Sequence, residues 1–292
     1  MLAQKRASNI GRFYLLEVKR EIETEILVAK EAATFVKRQP DNIKMVLGLY
    51  LLSLYGLRQG LIMRASYLPI RFVDDLLDGD VPKEKGDPIT YAQELSEHIT
   101  TNSLDRTPIE RQLRYALDAL ESKARPSDNP RGDFVKVIGT IIFDRMRASE
   151  RKTLSANEIE QYYRNAFDPV INITLMALDS KFRSKDVPAL SYGQGRVYSA
   201  RDFKEDWERG IINVPGRAIS LAGLSPTSAF ESVSKNANIT NWFHQSLAST
   251  KQDLLDTKLL LFQSHEKRTQ VVCNSLISPM LRFIGQTKQR QP

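Results

Sequence analysis

The hydrophobic positions of this chain recur every three to four residues along most of its length, which is the period of an amphipathic helix. Strand signals, such as strict alternation of polar and apolar residues, are nearly absent. The pattern therefore predicts an all-α protein. The predicted helices cover residues 19–37, 43–58, 61–78, 108–123, 133–150, 157–167, 169–181, 195–209 and 239–263.

Short turn-forming stretches separate these segments, for example QPDN at 39–42 and RPSDNPRGD at 125–133. None is long enough to be an interdomain linker, and no internal repeat is evident. The chain has 292 residues, of which 41% are hydrophobic, so it can bury a large core. We expect a single domain over residues 1–292, whose bundle ends near Phe262 ahead of a basic tail at 288–292.

Two local signals refine the helix boundaries. Ser155 and Glu158 have the spacing of a capping box, which predicts a helix start at that point. Asp168-Pro169 allows two interpretations: the proline breaks a helix and aims the carboxylate inward, or aspartate caps and proline opens a new helix. The preferences of both residues favour the second interpretation.

The chain is basic, with a formal charge of +7 and a pI near 9.4. This charge suits an anionic partner, namely phosphate esters, an acidic membrane surface or nucleic acid. Nucleic acid is disfavoured, because the basic residues are dispersed and no nucleic-acid-binding motif is present. We therefore expect no nucleic acid, and phosphate esters and an acidic membrane surface stay open as partners.

Several classes are excluded or disfavoured by individual residues. The apolar run Met45–Leu57 is shorter than the roughly 20 residues that cross a bilayer, so we expect no transmembrane segment. No signal peptide is evident at the amino terminus. The single Cys273 excludes an intramolecular disulfide framework and favours a reducing compartment, so a cytoplasmic location is expected.

The segment FVDDLLDGD at 72–80 places four carboxylates among leucine and valine. On a helix, Asp74 and Asp78 lie at i and i+4, and Asp75 and Asp78 at i and i+3, so at least two carboxylates share one face. Such a face is either solvated or holds a cation.

A second acidic pair occurs in RDFKEDWERGIINVP at 201–215, where Asp202 and Asp206 are again at i and i+4. Mg²⁺ takes one or two carboxylates together with phosphate oxygens and water. Either pair alone is common on a solvated helix face, but two pairs embedded in apolar sequence favour a metal site. Metal on a diphosphate stabilises it as a leaving group, and the allylic carbocation that follows needs a dry, apolar cavity.

These two segments resemble the motifs of the squalene and phytoene synthase family, the head-to-head branch of the class I isoprenoid synthases. Residues 67–78, YLPIRFVDDLLD, are similar to its first motif, and residues 201–210 with Pro215 are similar to its second. The motif-bearing part spans about residues 45–215. The resemblance implies an isoprenoid synthase helical bundle with a central cavity, Mg²⁺ and prenyl diphosphate substrates.

The resemblance also implies roles for individual residues. The implied metal ligands are Asp74, Asp78, Asp202 and Asp206, with Asp75 as a further candidate. The implied catalytic residues, close to the diphosphates, are Tyr67, Arg71 and Arg201. The implied substrate-binding residues are Arg71, Arg201, Arg209, Tyr50 and Phe167. Taken singly, Tyr67 and Tyr50 are more often packing residues than catalytic groups, and Arg71 is also placed to form a plain ion pair with Asp74 and Asp75.

The chain departs from the family pattern where the substrate is shaped. A Ser-Phe-Tyr element is replaced by Gly48-Leu49-Tyr50, and a glycine-bearing helix by residues 165–170, where Phe167 fills space. The family's asparagine, arginine and tyrosine around the second motif are here Tyr198, Ile211 and Asn213. These changes remove expected contacts to the diphosphate and to the carbocation. Arg147 replaces an aspartate, although Asp144 lies one turn earlier on the same face.

Three functional hypotheses follow. The first is a Mg²⁺-dependent condensation of two prenyl diphosphates to a squalene-like or phytoene-like product, for which no motif supports the use of NADPH. The second is a terpene synthase that acts on one prenyl diphosphate. The third is a catalytically silent relative that serves in assembly or binding. For the enzymes, greasy substrates and a basic surface predict peripheral contact with an anionic membrane.

Overall fold

The computed structural model describes residues 2–81 and 86–289, which contain helices and no β-strand. The all-α prediction is therefore confirmed. The helices are α1 Leu2–Arg38, α2 Ile43–Leu51, α3 Leu57–Asp78, α4 Pro88–Thr101, α5 Pro108–Glu121, α6 Pro130–Glu150, α7 Ala156–Ala177, α8 Ala189–Arg201, α9 Phe203–Arg209, α10 Gly216–Leu221, α11 Phe230–Ser234, α12 Ala237–Gln263 and α13 Lys267–Gln289. Short 3₁₀ turns occupy Pro40–Asn42, Leu52–Tyr55 and Ser184–Asp186.

Helix starts follow the capping chemistry of the sequence. The hydroxyl oxygen of Ser155 accepts a hydrogen bond from the amide of Glu158, and the carboxylate of Glu158 accepts one from the amide of Ser155. The predicted capping box is therefore confirmed. Thr107 and Glu110 make the same pair at the start of α5. Both devices satisfy amides of the first turn that have no partner within the helix.

Helix α3 lies at the centre of the fold and packs against α1, α5, α6 and α7. A large core cluster joins α1 to α6 and includes Phe35, Leu68 and Phe134. A second cluster joins α7 and α8 to α12 and α13, and a third surrounds Trp207 of α9. The two aspartate segments therefore belong to different packing layers.

The prediction that Asp168-Pro169 starts a new helix is wrong, because α7 runs without interruption from Ala156 to Ala177 with Pro169 buried inside it. A proline in a helix interior costs one backbone hydrogen bond and creates a clash. Packing of α7 against both α6 and α8 offsets that cost. The predicted segments 43–58 and 195–209 are each divided, at Leu52–Gly56 and at Asp202.

The bundle does not end near Phe262. Helix α13 packs on α8 and α12, burying Cys273, Ile277, Met280 and Ile284. In the sequence, Pro279 and the basic residues that follow it interrupt the hydrophobic pattern from which this helix could be predicted. Helix α4 was missed as well, and α1 begins well before residue 19.

The close packing of α7 on α8 depends on Gly195. A Cβ atom at this position would lie 2.2 Å from Cγ of the buried Tyr163, whose hydroxyl donates to Ser199. We expect Gly195→Ala to lower the free energy of unfolding by about 2 kcal/mol, because the ring cannot move without breaking that contact. Urea denaturation measures the change.

Gly139 of α6 provides the matched control, since a Cβ there meets no atom within 4 Å. Gly139→Ala should raise stability by up to about 1 kcal/mol through helix propensity alone. Equal effects of the two substitutions would contradict the steric explanation.

Candidate diphosphate and metal site

Helix α3 places the first motif on one face. Tyr67, Arg71, Asp74 and Asp78 follow one another at spacings of three or four residues, so their side chains are neighbours along α3. Gly79, with φ of 87°, ends the helix directly after Asp78. The last carboxylate of the motif therefore lies at the carboxyl end of α3.

The second motif spans the junction of α8 and α9. Asp202, with ψ of 14°, interrupts the helix, yet its carbonyl still accepts from the amide of Asp206 at 2.9 Å. Asp202 and Asp206 therefore remain one turn apart. Arg209 closes α9, and its Nη1 lies 3.1 Å from Oδ2 of Asp78.

This ion pair between Asp78 and Arg209 joins the two motifs, although the two residues are 131 positions apart in sequence. The two acidic segments therefore face each other in the fold. About a third of each side chain of Asp74, Asp78 and Asp202 remains exposed. The carboxylates are thus in reach of a ligand from solvent.

Burial raises the pKa of Asp74 to about 6, and the nearby charges of Asp78, Asp75 and Asp144 add to the shift, while Arg71 opposes it. Burial together with Asp202 raises the pKa of Asp206 to about 7. The raised pKa values of Asp74 and Asp206 therefore reflect burial together with repulsion from neighbouring carboxylates.

The pKa of Asp206 predicts a pH dependence of stability. Its ordinary value is 3.8, so between about pH 4 and about pH 7 the metal-free folded chain binds more protons than the unfolded chain. The stabilisation is complete below the ordinary value and is lost as the pH rises through about 7. We expect the urea midpoint to fall from about pH 5 to about pH 8, and Asp206→Asn to flatten that decline. A steeper decline in the variant would contradict the assignment.

Asp75 lies apart from the exposed carboxylates. Its side chain is fully buried, with Oδ1 2.7 Å from Nη2 of Arg71 and Oδ2 3.3 Å from Nη2 of Arg38. Gln39 donates a further hydrogen bond to it. These contacts fasten α1 to α3, so we leave Asp75 out of the candidate metal set.

The predicted arginines already have carboxylate partners. Arg71 Nη1 is 2.5 Å from Oδ2 of Asp74, so the expected ion pairs of Arg71 with Asp74 and Asp75 are both present. Arg201 forms a two-point contact with Asp202, at 2.7 and 2.6 Å. Its guanidinium also stacks on the ring of Tyr198, 4.5 Å from the centroid.

The predicted aromatic residues divide into two groups. Tyr67 donates its hydroxyl to the sulfur of Met45, and burial raises its pKa to about 12. Phe167 meets Tyr198 edge to face at 5.9 Å, beside Arg201. Tyr50 instead lies over Arg64, 4.3 Å from the guanidinium, in the contact between α1, α2 and α3. The structure gives Tyr50 no contact with the aspartates.

A buried polar network connects the second motif to α6 and α7. Arg147 is fully buried, with Nε 2.8 Å from Asp144 and Nη2 2.7 Å from the side-chain oxygen of Asn213. Asn213 donates to Asp206 at 3.0 Å, and Tyr162 donates to Asp144 at 2.8 Å. Arg147 thus bridges the carboxylates of two helices.

Sequence reasoning identified Arg147 and Asn213 only as departures from a family pattern, and Asp144 only by its position one turn before Arg147. Asp144 and Arg147, at i and i+3, carried a local signal of an ion pair. Nothing local connects Asn213 or Tyr162 to them, because those contacts span 66 and 18 residues. Only the fold brings the four side chains together.

The chemistry of the site fits Mg²⁺ held jointly with a phosphate. Within residues 2–81 and 86–289, no three carboxylate, histidine or cysteine side chains form a ready-made cation site. Mg²⁺ needs only one or two carboxylates when phosphate oxygens and water complete its shell. Nε of Arg71 and Nη1 of Arg147 also have no hydrogen-bond partner in the described part of the chain, and both atoms are buried.

A separate recess of about 480 Å³ opens between α6 and α7. Phe143 and Tyr162 line it, and Lys136 and Lys152 lie at its edge. Tyr162 is shared by the recess and the network, because its hydroxyl reaches Asp144. The aspartate pairs do not line this recess.

No protein-family model, curated protein or solved structure matches this chain. The described part of the chain also contains no helix both long enough and apolar enough to cross a membrane.

Proposed function

We propose that this protein is a Mg²⁺-dependent prenyltransferase that ionises prenyl diphosphates and joins two of them head to head. The observation that carries the proposal is the contact between Asp78 and Arg209, which brings two acidic motifs from distant parts of the chain together. The resemblance of both motifs to the squalene and phytoene synthase family supplies the reaction.

Four side chains would hold the metal: Asp74 and Asp78 from α3, and Asp202 and Asp206 from the junction of α8 and α9. When bound, Mg²⁺ supplies Lewis-acid stabilisation of the departing diphosphate. Repulsion among the carboxylates, which contributes to the raised pKa values of Asp74 and Asp206, favours a cation at this point.

The arginines of the site would bind the diphosphate itself. Arg209 is half exposed and neutralises Asp78. With Mg²⁺ held by Asp78, Arg209 would keep Glu205 as its partner, 3.3 Å away, and could donate hydrogen bonds to a phosphate. Arg201 lies at the same edge, and its stacking on Tyr198 fixes its direction.

Aromatic side chains would exclude water from the prenyl chain. Phe167 and Tyr198 form an edge-to-face pair beside Arg201, and Tyr198 is close enough to Tyr67 to raise its pKa. Aromatic faces also attract positive charge, which suits an allylic cation. Tyr67, Phe167 and Tyr198 are therefore the candidates for contact with the reacting carbons.

Phe167 favours a second candidate, a terpene synthase that uses one prenyl diphosphate. Its contact with Tyr198 occupies space that a glycine-bearing helix would leave to a second chain. A third candidate is a catalytically silent binding protein. It is supported by the hydrogen bonds of Arg147 to Asp144 and of Asn213 to Asp206, which already occupy these carboxylates.

Product analysis separates the three candidates. Purified protein is incubated with farnesyl or geranylgeranyl diphosphate, with and without Mg²⁺ and with and without NADPH. Pyrophosphate release is measured and the hydrocarbons are identified by mass spectrometry. A product with twice the substrate carbons supports the head-to-head reaction, and a single-chain product supports the terpene synthase. Absence of pyrophosphate release with both substrates overturns both enzymatic proposals.

A further inference from the structure

Large apolar side chains project into solvent from α2 and from the turn that follows it. Leu47, Leu51, Leu54 and Leu57 are 57, 60, 80 and 82% exposed. Together with Ile43, 47% exposed, we call them the leucine face. Residues 43, 47, 51 and 54 are three or four positions apart, so they form one stripe along α2 and its 3₁₀ extension.

The neighbouring stripe of α1 extends this surface. Ile22 and Ile26 are 57 and 49% exposed and flank Glu25 in sequence. Glu25 contacts Arg64, and Arg64 stacks on Tyr50 of α2, so this part of α1 lies beside the leucine face. Contiguous apolar surface of this kind on a soluble protein marks an interaction site.

Exposed lysines adjoin the leucine face, and the exposed Asp41 lies among them in the turn before α2. The acidic residues of α1 on this side are paired, since Arg58 contacts Glu17 at 2.8 Å and Glu21 at 3.5 Å, and Arg64 contacts Glu25. The lysines on the adjoining surface of α1 and α2 are exposed: Lys30, Lys37 and Lys44. An apolar face with a basic rim is the pattern of a helix that lies in an anionic lipid surface.

The inner side of α2 faces the candidate site. The sulfur of Met45 accepts the hydroxyl of Tyr67 at 2.8 Å, and Tyr67 precedes Arg71 by one turn of α3. Helix α2 therefore contacts the first motif through Met45 on one side and carries part of the leucine face on the side exposed to solvent. It is bounded by the 3₁₀ turns Pro40–Asn42 and Leu52–Tyr55.

We infer that the leucine face inserts into the surface of an anionic bilayer, with α2 lying parallel to the membrane plane. A second copy of the chain is a poorer occupant, because a twofold contact through this face would bring the two lysine rims together. A prenyl chain dissolved in the bilayer would then enter beside α2. That last step rests on the proposed function, whereas the membrane surface does not.

Vesicle flotation tests the inference without any substrate or metal. Full-length protein is mixed with phosphatidylcholine vesicles, with and without phosphatidylglycerol, at low and high salt. We expect binding that requires phosphatidylglycerol and weakens with salt. The double variant Leu51→Asp, Leu54→Asp should reduce the bound fraction by about tenfold or more, because it places charges in the inserted face.

The chain offers a matched control on α12, where Leu259 and Phe262 are 56 and 72% exposed. The variant Leu259→Asp, Phe262→Asp should bind vesicles like the unchanged protein. An equal loss in both variants, or retained binding in the leucine-face variant, overturns the inference. So does a dimer in light scattering that the leucine-face variant dissociates while vesicles bind none of the proteins.

The outcome is separable from the proposed function. Asp74→Asn should leave vesicle binding unchanged, since Asp74 belongs to the site and not to the leucine face. Vesicle binding in a protein that releases no pyrophosphate would reject the enzyme and keep the membrane surface. Pyrophosphate release by a protein that binds no vesicles would reject only the membrane surface.

Discussion

Asp74→Asn is expected to lower the rate of pyrophosphate release by about three orders of magnitude. Asparagine keeps the size of the side chain but supplies no anionic oxygen to the metal, and such a ligand contributes several kcal/mol to stabilisation of the transition state. A loss of about 4 kcal/mol corresponds to that factor. Initial rates at saturating Mg²⁺ and prenyl diphosphate measure it, and Asp206→Asn should behave alike.

The control for this experiment comes from α12, whose residues 253–256 repeat the letters DLLD of the first motif. Asp256 there is exposed and accepts from Gln252 at 2.9 Å, one turn away on the same helix. Asp256→Asn should change the rate by less than about twofold, as is usual for exposed positions. Full activity of Asp74→Asn in a protein that remains Mg²⁺-dependent would remove α3 from the metal site.

Arg147→Met is expected to lower the free energy of unfolding by about 3 kcal/mol, because it leaves the partly buried carboxylate of Asp144, which is 26% exposed, without its cation. The guanidinium of Arg147 contacts Asp144 and Asn213 and lies 4.2 Å from the centroid of the Tyr162 ring. Methionine retains the apolar stem and removes all three interactions. Urea denaturation at pH near 7 gives the difference.

Asp144→Asn combined with Arg147→Met provides the test of cause. Removing the carboxylate together with the cation should recover a large part of the lost stability, because neither buried charge then remains unpaired. If the double variant is as unstable as Arg147→Met, lost packing and not charge accounts for the effect.

The fold class was predictable because helix periodicity and capping residues are local properties. Ser155 and Glu158 fix the start of α7 within four residues of chain, and the structure confirms this start. The prediction at Asp168-Pro169 was wrong for the opposite reason. The two residues locally prefer a helix start, but packing on α6 and α8 keeps α7 continuous across the proline. Tertiary contacts decided that boundary, and they cannot be read from adjacent residues.

The candidate site was predictable in its carboxylates and less so in their surroundings. Asp74, Asp78, Asp202 and Asp206 were selected by spacing and by motif, and the structure brings their segments together through Arg209. Asp75 shares the motif but faces α1, which spacing alone could not reveal because Arg38 and Gln39 lie 37 and 36 residues away. Long-range contacts therefore decide which carboxylates stay partly exposed to a ligand and which, like Asp75, are buried.

The chain has two tryptophans, Trp207 and Trp242, and both belong to the cluster that surrounds α9. Trp207 is buried, donates to the carbonyl of Ser228 and precedes Arg209 by two residues. Tryptophan fluorescence, excited selectively over tyrosine, therefore reports on the segment that carries the second motif and not on α1 through α5. A red-shifted emission with unchanged helical circular dichroism would reveal local opening of α9 well before the whole bundle unfolds.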